Sequence, residues 1–270
     1  MKQDFASTVY NARVGHEKFH DLNELRAFTE RLIQLWDRDH DRPFKMKSEY
    51  AVGSGPLIWS FTQHVVELTR TILDLSRQNR MIIAVPLIRL SVENTMTSVW
   101  AYLVPDSAKA VVFEGLRNKK NTIAGIIKQN AEGFDAESLG KAQAELSEFE
   151  EYRLPAAQNF QQLCDQILGG TGIKLSWRVM SSYSHAQMPM ADFYLNEVPK
   201  TDDMPLGIEF NPDATLKSHE AWLGTSICML ITSMKVCDSI NQEGRHKTQL
   251  GRAAKMMGIS LDLKLANEQK

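Results

Sequence analysis

PLIWSFTQHVVELTRTILDLSRQNRMIIAVPLIRLSVENTMTSVWAYLVPD, residues 56–106, decides the fold. Pro56 suits the first turn of a helix, where a missing N–H costs nothing. Leu57, Phe61, Val65, Leu68, Ile72 and Leu75 then recur at spacings of three and four. That seven-residue rhythm belongs to a helix packed in a bundle. Ser76 to Arg80 reads as its exit. Met81 to Leu103 is apolar on most sides, interrupted by Arg89, Glu93 and Asn94. A helix apolar all round occupies the centre of a fold. Pro105 and Asp106 end it and open another helix, which runs to about Asn130.

Outward from this pair the pattern stays helical. Asp21-Leu-Asn-Glu24 has the shape of a capping box, and Leu25, Phe28, Leu32 and Leu35 follow at helical spacing. Residues 44–55 read as a loop ending in Gly53-Ser-Gly55. Residues 137–153 are polar and acidic, which predicts an exposed helical arm. A helix after Pro155 is expected to reach Leu168, with Gly169-Gly170 as its stop. A short helix follows over 174–187, KLSWRVMSSYSHAQ. Four prolines interrupt 188–214, where DFYLNE and LGIEF are able to pair as a hairpin. The last long helix spans about 214–242, followed by a short basic helix near 247–258.

The fold class is therefore all-α. The 270 residues form one helical domain, a bundle of about seven to nine helices. Its core spans about 56–242, and the N-terminal helix 21–39 packs on it. A short irregular or hairpin insert lies near 190–211, and a polar C-terminal tail covers 259–270. The first 20 residues or so and the tail are expected to be loosely held.

Composition excludes several classes. With 43% hydrophobic and 24% charged residues the chain is neither disordered nor of low complexity. A formal charge of −2 is wrong for a dedicated duplex-DNA coat or for membrane attachment by bulk charge. Cys164, Cys228 and Cys237 are too few for a disulfide framework and lack metal-ligand spacing, which points to a reducing cytoplasm. The N-terminus has no apolar leader, and the longest uncharged run, Ala221 to Met234, is short for a bilayer span.

Few residues carry chemistry. No Gly-rich phosphate loop, G-x-S-x-G or H-E-x-x-H motif occurs, so no cofactor is expected. His16 and His20 share helical metal-ligand spacing but lack further donors, so no metal is expected. Arg178 and His185 stand out. The predicted helix 174–187 holds both, and seven residues, close to two turns, bring them to one face, about 10 Å apart, with Ser181 and Ser182 beside them. Arginine grips a phosphate with two prongs, and histidine moves protons near neutrality. Together they suit metal-free phosphodiester cleavage. The same residues also read as structural, with His185 buried against the backbone or Glu93 and Arg178 in an ion pair. Arg89 and Glu93, four apart on an apolar helix, must be paired. They read either as a register-fixing ion pair or as the support that orients His185. Arg117, Lys119 and Lys120 form the nearest basic patch for RNA.

Arg178-Val-Met-Ser-Ser-Tyr-Ser-His185, on a late helix of a bundle, resembles the Arg-x4–6-His motif of the HEPN superfamily. Arg89-Leu-Ser-Val-Glu93 followed by Ser181-Ser-Tyr-Ser-His185 also resembles uncharacterised bacterial helical proteins of that type. The resemblance implies a metal-independent ribonuclease of a toxin or phage-defence kind, acting on RNA, with two motifs meeting in a homodimer. Val179 departs from it, since a polar residue often follows the motif arginine in active nucleases. The alternative is a non-catalytic helical binding or scaffold protein.

Overall fold

The computed structural model describes residues 19, 21–39, 42–129 and 133–269. Among them are twelve α-helices, eight of them seven residues or longer, and two short strands. The core is a triangle of long helices: α3 (Ser54–Arg77), α4 (Met81–Leu103) and α11 (His219–Ile240). α3 and α4 form a hairpin through Gln78–Arg80, where Asn79 takes a left-handed turn at φ 58°. α4 and α11 are buried on most sides, as their apolar character requires. By length and composition α11 would also span a bilayer, but 78% of its apolar window is buried inside the fold.

α3 buries a wider stripe than its rhythm predicts. Ile58, Val65, Val66, Leu68, Ile72 and Leu73 are buried, while Leu57, Phe61 and Leu75 sit at the margin. The reason is that α3 meets both α4 and α11. Thr62 closes part of the second contact, with its hydroxyl 3.1 Å from that of Ser233.

α1 (Leu22–Asp37) runs antiparallel to α3. Asp21 caps it by accepting from the backbone N–H groups of Asn23 and Glu24. Arg26 donates to Ser76, Arg77 pairs with Glu30, and Arg70 pairs with Asp37. The loop 44–55 contains one extra turn, α2 (Ser48–Ala51).

α5 (Ser107–Lys128) carries the acidic segment as α6 (Ala136–Ser147). As expected, most of α6 is exposed, but Ala142 and Leu146, four apart, are buried and give it a narrow packed stripe. The expected single helix from 155 to 168 is two pieces, α7 (Pro155–Gln158) and α8 (Phe160–Asp165). Asn159 divides them, because its side chain caps α8 by accepting from Gln161 and Gln162.

α9 (Gly170–Ser184) packs antiparallel on α4. Gly169 turns the chain at φ 80°, and a Cβ on Gly170 would sit 1.9 Å from the Cys164 carbonyl oxygen. Only glycine lets α9 start this close to α8. α10 (Met188–Phe193) leads into the expected hairpin, in which β1 (Leu195–Glu197) pairs antiparallel with β2 (Ile208–Phe210). α12 (Lys247–Met257) packs on α11.

The tail is not loosely held. Leu168 N–H donates to Lys264 and Ala266 N–H donates to Gln166, making a bridge between Ile167 and Leu265. Ile259, Leu261 and Leu263 lie against the core at strand-like alternation.

Candidate functional site

The predicted motif helix ends early. α9 stops at Ser184, and His185 is its C-cap with extended backbone, φ −120° and ψ 159°. The two-turn, one-face placement of Arg178 and His185 therefore does not occur. The serine run explains the ending. Ser181, Ser182 and Ser184 hydroxyls donate to the carbonyls of Trp177, Val179 and Met180. Such back-bonding competes with the helix ladder and weakens a last turn. Pro189, in the first turn of α10, then keeps the chain from continuing as one helix.

The structural reading of these two residues also fails. Arg178 and His185 are both exposed. Arg178 donates to the neutral Gln161 Oε1 at 2.5 Å, and no carboxylate pairs with it among the described residues. Among the described residues no hydrogen bond or ion pair joins His185 to Glu93, whose Oε1 serves Arg89 and Trp177.

What takes it is a compact network between α4 and α9. Arg89 pairs with Glu93 at 2.9 Å, with side chains 23% and 27% exposed. Trp177 Nε1–H donates to Glu93 Oε1 at 2.7 Å, and Arg89 Nε–H donates to Ser181 Oγ at 3.1 Å. The guanidinium of Arg89 also lies 4.9 Å from the centre of the Trp177 ring, within cation–π reach. Arg89 and Glu93 thus reach the motif helix, as expected, but they hold its tryptophan and serine and not its histidine. Asn94 faces the other way, its amide nitrogen 3.0 Å from His64 Nδ1 on α3.

The basic patch is largely neutralised. Arg117 pairs with Glu114, and Lys119 pairs with Glu145 of α6. The three cysteines are free and buried, and burial pushes their thiols up to about 12. None supplies a thiolate nucleophile near neutral pH. Among the described residues no group of three His, Cys, Asp or Glu side chains converges to hold a metal. His16 and His20 lie outside the described residues.

One concave site escaped the sequence reading. A cleft of about 360 Å³ opens between the end of α1, α3, the end of α11 and the start of α12. Trp36, Phe44 and Trp59 contribute its aromatic lining. At one side Asp39 receives three partners: Arg42 at 3.3 Å, Arg245 at 3.4 Å and His246 Nε2 at 3.0 Å. Asp238 accepts from the His246 backbone N–H, so the cluster clamps α12 to the α1 end. Arg245 also bonds Glu243 and holds that carboxyl below the usual range. These residues are some 200 positions apart in the chain, and no local spacing announces them.

Compared with protein-family models, curated proteins and solved structures, the chain significantly matches none.

Proposed function

We propose that the chain is a HEPN-like, metal-independent ribonuclease in which Arg178 binds the scissile phosphate and His185 moves the proton. The observation that carries this reading is the availability of Arg178. It sits exposed on α9, seven residues from an exposed histidine, with a neutral partner in place of an acid. A guanidinium without a carboxylate keeps its charge for a phosphate. In the reaction the 2′-hydroxyl attacks phosphorus and the 5′ oxygen leaves. His185 takes the proton of the former or gives one to the latter. The products are a 2′,3′-cyclic phosphate and a 5′-hydroxyl. Arg89, Glu93, Ser181 and Ser182 support α9 and touch no substrate.

A second reading is favoured by one specific observation. His185 lies outside the last helical turn, and the α4–α9 network is complete without it. On that reading the chain is a helical binding or scaffold protein.

The test is incubation of the purified chain with a mixed RNA pool in EDTA, beside His185→Ala and Arg178→Ala. Metal-free cleavage that leaves cyclic phosphate ends and disappears in both variants is expected. Cleavage surviving His185→Ala, or abolished by EDTA, refutes the ribonuclease reading. No cleavage by the parent favours the second.

A further inference from the structure

The β1–β2 hairpin exposes an apolar row that a monomeric fold has no use for. Leu206, Ile208 and Phe210 are 76%, 41% and 84% exposed. Ile208 and Phe210 flank Glu209 in β2, so the pleat puts both on one face, while Leu206 sits in the turn before Gly207, which takes φ 65°. Isolated exposed apolar residues are ordinary, but an aligned row marks an interaction surface.

The backbone beneath the row is also open. Tyr194 bonds Asn211 and Val198 bonds Gly207, in the register that pairs Asn196 with Glu209. In an antiparallel ladder every second residue bonds the neighbouring strand. Residues 207, 209 and 211 therefore face β1, and the N–H and C=O groups of Ile208 and Phe210 face outward. Among the described residues β2 pairs with β1 alone. An added strand would find two donors and two acceptors there, spaced for antiparallel pairing.

Charge selects the occupant. Glu209 lies on β2 itself, Glu197 stands opposite Ile208 on β1, and Asp202, Asp203 and Asp213 lie in the flanking turns, against Lys200. In the twofold pairing of two copies, Ile208 and Phe210 would exchange bonds and Glu209 would face Glu209 of the other copy. Directly opposed like charges destabilise a sheet.

We propose that β2 is a docking edge for an extended segment of a partner protein that alternates apolar and basic residues. Its apolar side chains cover Ile208 and Phe210, its Lys or Arg side chains face Glu209, and its backbone pairs with Ile208 and Phe210. This mode is strand addition, with ladder bonds for affinity and alternate side chains for specificity. It is independent of the ribonuclease reading.

The probe is a capped, fluorescent peptide of about seven residues, Thr-Val-Arg-Val-Arg-Val-Thr, titrated against the full chain by anisotropy. One control is the same composition without alternation, and another has Glu in place of Arg. The alternating Arg peptide is expected to bind the parent above both controls. Glu209→Arg should weaken it about tenfold, the equivalent of one charge-assisted contact, and improve binding of the Glu peptide. Ile208→Pro removes one outward N–H and should weaken the Arg peptide too. The exposed Glu209 variant keeps the test open if the proline disturbs the hairpin. Equal binding of the scrambled control, no binding of the Arg peptide, or indifference to Glu209→Arg overturns the proposal. So does concentration-dependent self-association that Phe210→Ser abolishes, which would make a second copy the occupant.

Discussion

Glu93→Ala should be markedly destabilising, because one carboxylate oxygen serves two partners. It pairs with Arg89 at 2.9 Å and accepts from Trp177 Nε1 at 2.7 Å. The ion pair alone, roughly three-quarters shielded from solvent, exceeds a surface pair worth about 0.2–1 kcal/mol. The bond from Trp177 ends on a charged acceptor, a class worth about 1.5–3 kcal/mol. Together they give an expected loss of about 2.5 kcal/mol. At about 2–4 °C per kcal/mol for a chain of this size, the melting temperature falls by roughly 5–10 °C. Glu93→Gln keeps an acceptor for Trp177 and loses only the charge, so it should cost about 1 kcal/mol. Urea denaturation followed by tryptophan fluorescence reads both, with an unchanged m-value expected. In a double-mutant cycle with Trp177→Phe, coupling of about 1 kcal/mol is expected, since the two side chains touch. A loss below about 0.5 kcal/mol for Glu93→Ala, the range of an ordinary surface substitution, would refute the reasoning. So would a glutamine variant as unstable as the alanine one.

Two further outcomes follow from burial. At the start of α11, desolvation lowers the pKa of His219, Arg26 adds to this, and Glu220 opposes it. A histidine kept neutral by the fold contributes stability that is present above its unfolded pKa, about 6.5. That contribution is lost as pH falls toward the lower folded value. Urea midpoints between pH 7 and pH 5 should therefore decline, and His219→Gln should flatten the decline; an equally steep decline in the variant would exclude His219 as its source. Cys228 and Cys237, with thiols pushed up to about 12, are predicted to resist thiol reagents at pH 8 in the folded chain and react in denaturant. The unfolded state loses those protons first, so each costs about 1.4 kcal/mol per pH unit between about 9 and 12. Rapid labelling of either cysteine in the native protein would contradict the burial.

Some features were legible because one local rule decides them. The all-round apolar character of Met81–Leu103 announces a central helix, and it is one. Alternation in LGIEF between turn-forming prolines announces a strand, and β2 forms there. Asp21 announces a cap, and its carboxylate takes that role. Sequence pattern and structure part where two local signals compete. Ser181, Ser182 and Ser184 lie in a helical pattern, yet their hydroxyls draw on the backbone carbonyls and the helix stops before His185. Asn159 sits in another helical pattern and caps a new helix. Ile259, Leu261 and Leu263 carry a period of two in a segment whose polarity suggested a loose tail.

By itself the sequence determined the helical class, the central hairpin of α3 and α4, and the identity of the paired charges Arg89 and Glu93. Periodicity and the cost of burying a lone charge are properties of short segments, and they need no partner to be read. Tertiary structure alone decided which groups those charges serve, that Arg178 meets the neutral Gln161, and that Asp39 meets Arg245 and His246. These depend on side chains brought together from distant parts of the chain. Packing of α9 on α4 and of α12 on α11 sets that proximity, and no spacing within either segment encodes it.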